Sequence, residues 1–567
     1  MDKKQVLVGI VGLMLMIPAT ALAQNEFGAK EKERYNEFRL KAYREYEAFR
    51  LKCNKDYADF MRKAWRNMNA EAPIELPKEK DVAPVEVTPQ DLEKPATDKC
   101  IFSVVLDWVY KVKDKIVSKG KNKNRGKTNE PNAEQTSDND KNRVKSQVGS
   151  AEAKSSSGNS DDIGRVILAP EPQKQPVPIK EVKEIPSNIL PMSKFDFKYF
   201  GTDGSIRLDR KDIISIGNLS NDNLADAWMK MSDIGYVNLI HDCLELRQTH
   251  NLCDWAYLLM LKDMAESVYG KDTNEATLLM AYVFCQSGYK MRLAYGGNRL
   301  YMLYASNHVI FDNIYFNLDG EKFYPFDKKD NTRLAVCPMK FPEEKSMSLL
   351  VKDEPKLNES YTDVSQHNTS PSLAHPVRVS VTSNQNMLDF YTSYPTSMVG
   401  SNVLTRWAMY ANMPMPEHIK KEVYPQLNQA IGGLGQVEAA STLLTWLHRG
   451  FVYEYDDVVW GEDRAFFPEE TLHYPYCDCE DRAILYTRLV RDLLGLDCIL
   501  VYYPGHLACA VNFTEPVPGD YIMLDDRRYT ITDPTYLGAR IGQTMPGMDN
   551  AQAQVILLKD YSQLSGL

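Results

Sequence analysis

One segment near the C-terminal end of the chain changes its hydrophobic period from that of a helix to that of strands. After Cys479, apolar residues recur at the spacing of one helical face, and Gly495 supplies a stop of the kind that commonly ends a helix. Three β-like runs follow, namely Cys498–Tyr503, a run that begins at His506, and Tyr529–Thr532. The apolar helical positions are Ala483, Ile484, Leu485, Leu489, Val490, Leu493 and Leu494. This order predicts one helix followed by three strands.

A cysteine, a histidine and an aspartate stand at the ends of these predicted elements. Cys479 opens the helix, His506 starts the second run, and Asp533 follows the third. Only a thiolate attacks a carbonyl, and a free thiol with a pKa of about 8.5 is mostly protonated at neutral pH. A helix N-terminus and a neighbouring imidazolium both favour the anion, while an aspartate can orient the imidazole. We therefore predict a thiol nucleophile, with backbone N–H groups at the helix start, that of Cys479 included, as the oxyanion site.

Four short motifs in this segment resemble the core of the transglutaminase-like superfamily, which contains papain-related cysteine enzymes. They are Asp-Cys-Glu-Asp-Arg-Ala at 478–483, Leu-Leu-Gly-Leu at 493–496, Pro-Gly-His-Leu-Ala at 504–508 and Thr-Asp-Pro-Thr-Tyr at 532–536. The resemblance covers residues 443–539 and implies an α+β domain with a Cys-His-Asp triad on a helix packed against an antiparallel sheet. It implies Cys479 as nucleophile, His506 as general base and acid, and Asp533 as the orienting residue.

Two other interpretations of these residues stay open. A free cysteine is often a small buried apolar residue, although Asp478 and Glu480 beside Cys479 indicate a polar helix start. The second alternative is a zinc site built from His473, Cys477, Cys479 and His506. Cys-x-Cys is tighter than the usual Cys-x2-Cys pair, so we prefer the catalytic interpretation, which requires no metal or cofactor. Cys477 is then a structural neighbour or a thiol able to form a disulfide.

Aromatic residues upstream of the cysteine are predicted to line a substrate groove. Tyr455 and Trp460 are the candidates, the first within the segment Phe451–Tyr455. In the superfamily that the motifs resemble, an aromatic or amide side chain just upstream of the cysteine assists the oxyanion site. The resemblance therefore suggests Trp460 for that role. A helix over Gln436–Gly450 is predicted to lead the chain into this region.

The start of the chain predicts export. A short basic opening precedes the largely apolar run Gln5–Pro18, and Ala21-Leu22-Ala23 forms a small-residue cleavage site. We therefore expect a signal peptide over residues 1–23 and a periplasmic or secreted mature protein. No later apolar run is long enough to cross a bilayer. The ten cysteines, an even number, are compatible with an oxidising compartment.

The remaining chain divides by composition into four further regions. Residues 24–72 carry aromatic side chains three or four residues apart, which predicts a long amphipathic helix packed along its own protein. Residues 73–191 have the low-complexity composition of a disordered linker, with a short amphipathic helix near 101–117. Both helices are candidates for contact with a partner or an anionic membrane surface. Residues 346–400 are predicted as connecting loop and strands, and 401–567 as the catalytic domain.

Residues 192–345 are predicted to form a degenerate transglutaminase-like domain. The segment Asn274–Tyr289 has the pattern of Glu480–Leu496, and a strand-like run follows each. The position of the nucleophile is held by Thr273 or Asn274, so this region lacks the thiol.

The same comparison places His308 and Asp327 where the downstream domain has its histidine and aspartate. Without a cysteine they cannot support thioester formation. We therefore predict that neither residue is catalytic.

The sequence thus predicts an exported cysteine acyl-transfer enzyme that hydrolyses an amide or peptide bond through a thioester. A protein or peptide is the expected substrate, peptidoglycan peptides included. The net charge of −10 and the lack of a phosphate-binding glycine motif disfavour a nucleic-acid partner. The alternative function is a non-enzymatic cell-envelope binding or scaffold protein that uses the same fold.

Overall fold

The computed structural model of this chain is a mixed α+β protein. It describes residue 41 and residues 48–78, 81–93, 98–104, 164–170, 182–185, 193–327 and 333–558. These residues form two compact units. The first unit contains the described parts of Met1–Pro73, Gln175–Ser306 and Asn313–Met347, and the second those of Ile74–Lys174, Asn307–Asp312 and Ser348–Leu567. The predicted signal peptide lies outside the described residues.

The strands in the described part of the chain are short. In chain order they are β1 (Arg66–Met68), β2 (Cys100–Val104), β3 (Val166–Leu168), β4 (Lys194–Tyr199), β5 (Thr202–Arg207), β6 (Met291–Gly296), β7 (Arg299–Ala305), β8 (His308–Ile310), β9 (Phe316–Leu318), β10 (Glu321–Pro325), β11 (Leu334–Val336), β12 (Ser365–Asn368), β13 (Arg378–Val381), β14 (Ser397–Val399), β15 (Val452–Tyr453), β16 (Tyr476–Cys477), β17 (Cys498–Tyr503), β18 (His506–Asn512), β19 (Tyr521–Leu524), β20 (Arg527–Thr532) and β21 (Gln554–Leu557).

The helices of the described residues precede or separate these strands. They are 48–61, Pro89–Glu93, Asn221–Met231, Val237–Thr249, Asp254–Tyr269, Asn274–Gln286, Gln385–Thr392, Thr405–Asn412, Glu417–Ile431, Gln436–Gly450, Asp456–Val459, Pro468–His473 and Cys479–Leu489. A π-helical turn, Val490–Leu494, continues the last of them. The predicted helix over Gln436–Gly450 and the predicted strand over Cys498–Tyr503 are confirmed with these bounds.

The first unit is organised around a near-closed antiparallel barrel. Its strand order is β1-β11-β6-β7-β10-β9, and the hairpin β4–β5 stands apart from it. Leu303, Phe323 and Val336 are among the side chains buried in its core. The helix over 48–61 packs within this unit, where the ring of Tyr57 lies 4.7 Å from that of Trp228. Of the predicted 24–72 helix, residues 48–61 are helical and pack along their own protein, but the prediction is wrong beyond them, because Arg66–Met68 form β1 and pair with β11.

The second unit contains a curled mixed sheet in the order β2-β19-β20-β18-β17-β21-β3. The central pairs are antiparallel, whereas β2 and β3 pair in parallel at the two edges. The helix Cys479–Leu489 packs against β18. Ile499, Ala510 and Ile531 are buried in the core of this sheet, each at 2% exposure or less. The sheet therefore fixes the ends of β18 and β20 relative to the helix.

Both edge strands of this sheet come from the predicted linker, so that prediction is wrong for the segments that the structure describes. Residues 100–104 form β2 and pair with β19, where a helix near 101–117 was expected to begin. Phe102 and Val104 are buried while Ser103 between them is half-buried. This alternation has the period of two expected of a strand at a sheet edge, whereas an isolated helix would expose the two apolar side chains to water. Residues 105–117 lie outside the described residues. Of the predicted connecting region 346–400, residues 348–400 belong to the second unit and contribute β12 to β14.

The two units share one order of elements around their central strands. In the second unit, the helix Cys479–Leu489 precedes the antiparallel pair β17–β18, and β20 flanks β18. In the first unit, the helix Asn274–Gln286 precedes the antiparallel pair β6–β7, and β10 flanks β7. Thr273 caps the first-unit helix as Asp478 caps the other, so Asn274 corresponds to Cys479.

One detail of the predicted repeat is wrong. The strand that corresponds to β18 is β7, and β7 begins at Arg299 rather than at His308. His308 starts β8 instead and pairs with Val399 of β14, because the chain has already passed through β7. Asp327 does follow β10 closely, as Asp533 follows β20.

Within the described residues, no helix combines the length and the apolar character needed to span a bilayer.

Candidate active site

The cysteine of the second unit occupies the first position of its helix because a reciprocal cap starts the helix there. The Asp478 side chain accepts a hydrogen bond from the N–H of Asp481, and the Asp481 side chain accepts one from the N–H of Asp478. The helix and its π-helical turn end at Gly495, whose φ of 63° lies in the left-handed region. Cys479 is 2% exposed, and its Sγ donates to Glu480 Oε2 at 3.3 Å. The predicted helix start is confirmed.

The predicted histidine and aspartate form a buried pair. His506 is the first residue of β18, and Asp533 directly follows β20, its antiparallel neighbour. His506 Nε2 lies 2.9 Å from Asp533 Oδ2, and both residues are at most 3% exposed. Among the described residues, His506 Nδ1 has no hydrogen-bond partner. A proton on Nε2 leaves the lone pair of Nδ1 free to accept a proton from another group.

The orientation of Asp533 is set by its second carboxylate oxygen. Oδ1 accepts the N–H groups of Thr535 at 2.9 Å and Tyr536 at 3.2 Å. Burial by itself acts to raise the pKa of Asp533, but the charge of His506 and these hydrogen bonds outweigh it and hold the pKa below its usual value. The carboxylate therefore stays ionised beside the imidazole.

Two residues that the sequence analysis did not assign also hold this pair in place. His448 donates from Nε2 to the backbone oxygen of Asp533 at 2.9 Å and accepts the Gly538 N–H at Nδ1. Burial lowers the pKa of His448 to about 4, so it stays neutral. Arg482 donates to the backbone oxygens of Pro534 and Phe451 at 3.4 and 3.2 Å. Arg482 belongs to the cysteine motif, whereas nothing in the local sequence around His448 marks it.

Cys479 and His506 line one cavity of about 570 Å³, a size typical of small-ligand sites. Tyr455 lines the cavity as predicted. Trp460 does not, because it packs edge-to-face on Phe466 and Tyr474, and the groove prediction for this residue is wrong. Trp407 lines the cavity instead, is 6% exposed, and has no hydrogen-bond partner for Nε1 among the described residues.

The electrostatics around the thiol differ from the sequence expectation of a lowered pKa. Burial and the neighbouring carboxyl groups of Glu480 and Asp478 raise the pKa of Cys479 well above its ordinary value, against the opposing N–H of Leu507. Burial and Glu480 likewise raise the pKa of Asp456 to about 8. In the free protein the thiol is therefore neutral at pH 7, and a base must take its proton during any attack.

The four residues of the alternative zinc site do not converge. His506 is bound to Asp533, and Cys477 Sγ accepts from Arg482 Nε at 3.4 Å. All ten cysteines are free thiols. The groups whose ligand atoms lie within 4.8 Å of one another in the described residues are different sets, namely Asp478, Cys479 and Glu480, then Asp456, Asp463 and Glu480, and in the first unit His241, Asp242 and Glu245.

The corresponding position in the first unit carries no thiol. Asn274 accepts the N–H of Leu300 at 2.8 Å through its side-chain oxygen and donates to the backbone oxygen of Asn298, so its amide ties the helix start to the strand turn. Lys262 lies 3.9 Å from Asp327, which is half exposed. These residues form a polar surface that has neither a thiol nor a buried histidine like those of the second unit.

Comparison with known proteins adds no relative from which a role could be carried over. No protein-family model, no curated protein and no solved structure matches this chain.

Proposed function

We propose that the second unit is a transglutaminase-like cysteine acyl-transfer domain that hydrolyses an amide or peptide bond in the periplasm or outside the cell. The observation that carries the proposal is the buried His506–Asp533 pair, 2.9 Å across, whose histidine lines the same cavity as Cys479. A Cys at a helix N-terminus that shares a cavity with an oriented imidazole supplies the two groups that nucleophilic catalysis requires. The predicted signal peptide supports export.

The chemistry begins with proton transfer from the Cys479 thiol to His506 Nδ1 as Sγ attacks the carbonyl carbon. Because the pKa of the thiol is raised, transfer and attack occur together rather than from a resting ion pair. The C=O π electrons move to oxygen, and the N–H of Cys479 at the helix start stabilises that charge. Collapse breaks the C–N bond, and His506 gives its proton to the leaving amine. Water, deprotonated by His506, then attacks the thioester and releases a carboxylic acid and the thiol.

The test is alkylation of the purified mature protein by iodoacetamide from pH 5 to pH 10, with mass spectrometry locating the label. If His506 acts as the base, Cys479 reacts at pH 7 at least about tenfold faster than in His506→Ala. Cys477→Ser is the matched control, because it removes the neighbouring thiol and leaves the triad intact. Labelling that occurs only at strongly alkaline pH and ignores His506 would refute the enzyme proposal.

The second candidate function is a non-enzymatic cell-envelope binding or scaffold protein. The observation that favours it is the burial of Cys479 together with the raised pKa of its thiol, which describes an inert cysteine as well as a base-dependent one. If this second function is correct, Cys479 should be labelled only at strongly alkaline pH, and the His506→Ala substitution should not change its labelling. The protein would then bind a partner or peptide in the same cavity without turnover.

A further inference from the structure

Residues 81–87 of the second unit, which we call the strap, run past the cavity that Cys479 lines. Asp81 is itself one of the lining residues and is half-buried. The next residue, Val82, donates its N–H to the backbone oxygen of Gly505 at 2.9 Å. Because Gly505 lines the cavity and directly precedes the candidate histidine, this bond ties the strap to the cavity wall.

The other end of the strap is bound to the loop that follows Asp533. The Leu537 N–H donates to the backbone oxygen of Val85, and the Leu537 oxygen accepts the Val87 N–H, both at 2.8 Å. These two bonds form a short parallel β-bridge. The three valines of the strap also pack on apolar side chains of the same loop, namely Tyr536, Ala539 and Met545. The strap therefore contacts the segments that carry both members of the buried histidine–aspartate pair.

The attachment of the strap is shallow. Every residue of the strap is half-buried or exposed. By contrast, Phe102 and Val104 of β2, further along the same region of the chain, are buried. A segment with few buried apolar contacts opens locally at a lower free-energy cost than the unit that it covers. The strap can therefore leave while β2 stays in the sheet.

The seated strap also changes the electrostatics of the cavity. Burial and the neighbouring carboxyl groups of Glu480 and Asp463 raise the pKa of Asp81 to about 6. The charge of Asp81 in turn acts to raise the pKa of the Cys479 thiol, after the larger effects of burial and of its adjacent carboxyl groups. The seated strap therefore makes the thiol harder to ionise, and repulsion between like charges favours release of the strap.

We propose that the strap is a detachable cover that restricts access to Cys479 while it is seated, and that the cavity admits a peptide substrate after the strap leaves. Leu537 would then present its N–H and its oxygen to an extended peptide, as in the addition of a strand to a sheet edge. That the incoming peptide is a substrate rests on the proposed function, whereas the shielding of Cys479 does not.

The test measures how fast iodoacetamide labels Cys479 in the full mature protein at about pH 9, where a thiol ionises more readily. Val85→Asp places a carboxylate where a half-buried valine packs, so it should loosen the strap and speed labelling at least about tenfold. Ala83→Asp adds the same group at an exposed position of the strap and should leave the rate unchanged. Cys509, which is 0% exposed in the same unit, should not be labelled faster in either variant.

Val82→Pro is the second variant, because it removes the N–H that is bonded to Gly505 and adds no charge. It should speed the labelling of Cys479 in the same way, and it replaces Val85→Asp if urea unfolding shows that Val85→Asp does not fold. Labelling of Cys479 at the wild-type rate in the folded variants would overturn the proposal. Equal acceleration at Cys509 would also overturn it, because the whole unit would then be opening.

The same comparison in a His506→Ala background separates this inference from the proposed enzyme. The acceleration should persist there, because shielding of the thiol does not need the base. A thiol that the strap variants expose but that ignores His506 refutes only the proposed enzyme. A thiol that depends on His506 but reacts equally fast with and without the strap substitutions refutes only this inference.

Discussion

Replacement of Asp533 by asparagine tests the proposed base most directly, because the structure dictates how the new amide must lie. The N–H groups of Thr535 and Tyr536 both point at Oδ1. Asparagine keeps these bonds only with its oxygen at that position, which turns its NH2 toward His506 Nε2. The reverse orientation would set NH2 against two N–H donors, at a cost of about 1–3 kcal/mol for each donor left unsatisfied.

His506 Nε2 must then accept a hydrogen bond, so the ring proton moves to Nδ1. Protonated Nδ1 cannot take the thiol proton, and the raised pKa of Cys479 leaves almost no thiolate to react without a base. We expect the alkylation rate of Cys479 at pH 7 to fall by about 10²–10⁴-fold, the usual contribution of a general base. That loss corresponds to about 3–5 kcal/mol of activation free energy.

The assay is iodoacetamide labelling of Cys479, followed by mass spectrometry, on the wild type, Asp533→Asn and Asp549→Asn. Asp549 is an exposed aspartate that also accepts a backbone N–H, from Ala551, so its variant controls for loss of an acidic side chain. Urea unfolding of each protein separates an effect on reactivity from a loss of fold. Unchanged labelling in folded Asp533→Asn, with ¹⁵N spectra showing Nδ1 still unprotonated, would refute the reasoning.

Three further predictions concern stability. The pKa of Asp456 is raised to about 8 in the folded protein, so the folded state holds a proton that the unfolded state releases above about pH 4, and the free energy of unfolding falls as pH rises from about 4 to about 8. Asp456→Asn should therefore be more stable than the wild type by about 2 kcal/mol at pH 8. Thermal unfolding in which the advantage of Asp456→Asn is no larger at pH 8 than at pH 4 would contradict this. Asp478→Ala removes the cap of the cysteine helix and should cost about 1 kcal/mol in urea unfolding, whereas an unchanged midpoint would show that the cap is dispensable. Gly542→Ala should destabilise more than Gly547→Ala, since both have φ near 88–89° but only the first would press a Cβ onto the Pro518 carbonyl; equal melting temperatures would argue against that close approach.

The elements of the candidate active site could be predicted from the sequence because their signals are local. Each signal depends on a few neighbouring residues, namely the helical period after Cys479, the glycine at position 495 and the strand-like runs around His506. Trp460 shows what such local signals cannot predict, because hydrophobic periodicity does not tell which of several aromatic side chains lines a cavity. Its replacement on the cavity wall, Trp407, comes from a helix more than fifty residues upstream in the sequence.

The linker prediction failed for a related reason. Polar composition argues against an independent core, but β2 and β3 need none because they add to a sheet built by other residues. The misplaced equivalence of His308 arose in the same way. A histidine at a plausible distance along the chain was compared with His506, whereas strand pairing assigns that place to Arg299.

Residue order alone determined which side chains open and close the elements of the second unit, and hence that Cys479, His506 and Asp533 stand at their ends. Only the tertiary structure decided their environment. Pairing of β18 with β20 joins His506 to Asp533, and packing gathers carboxyl groups from separate segments around the thiol. The electrostatic outcome, a raised rather than lowered thiol pKa, follows first from burial, which residue order near the cysteine does not encode, and then from the adjacent carboxyl groups of Glu480 and Asp478.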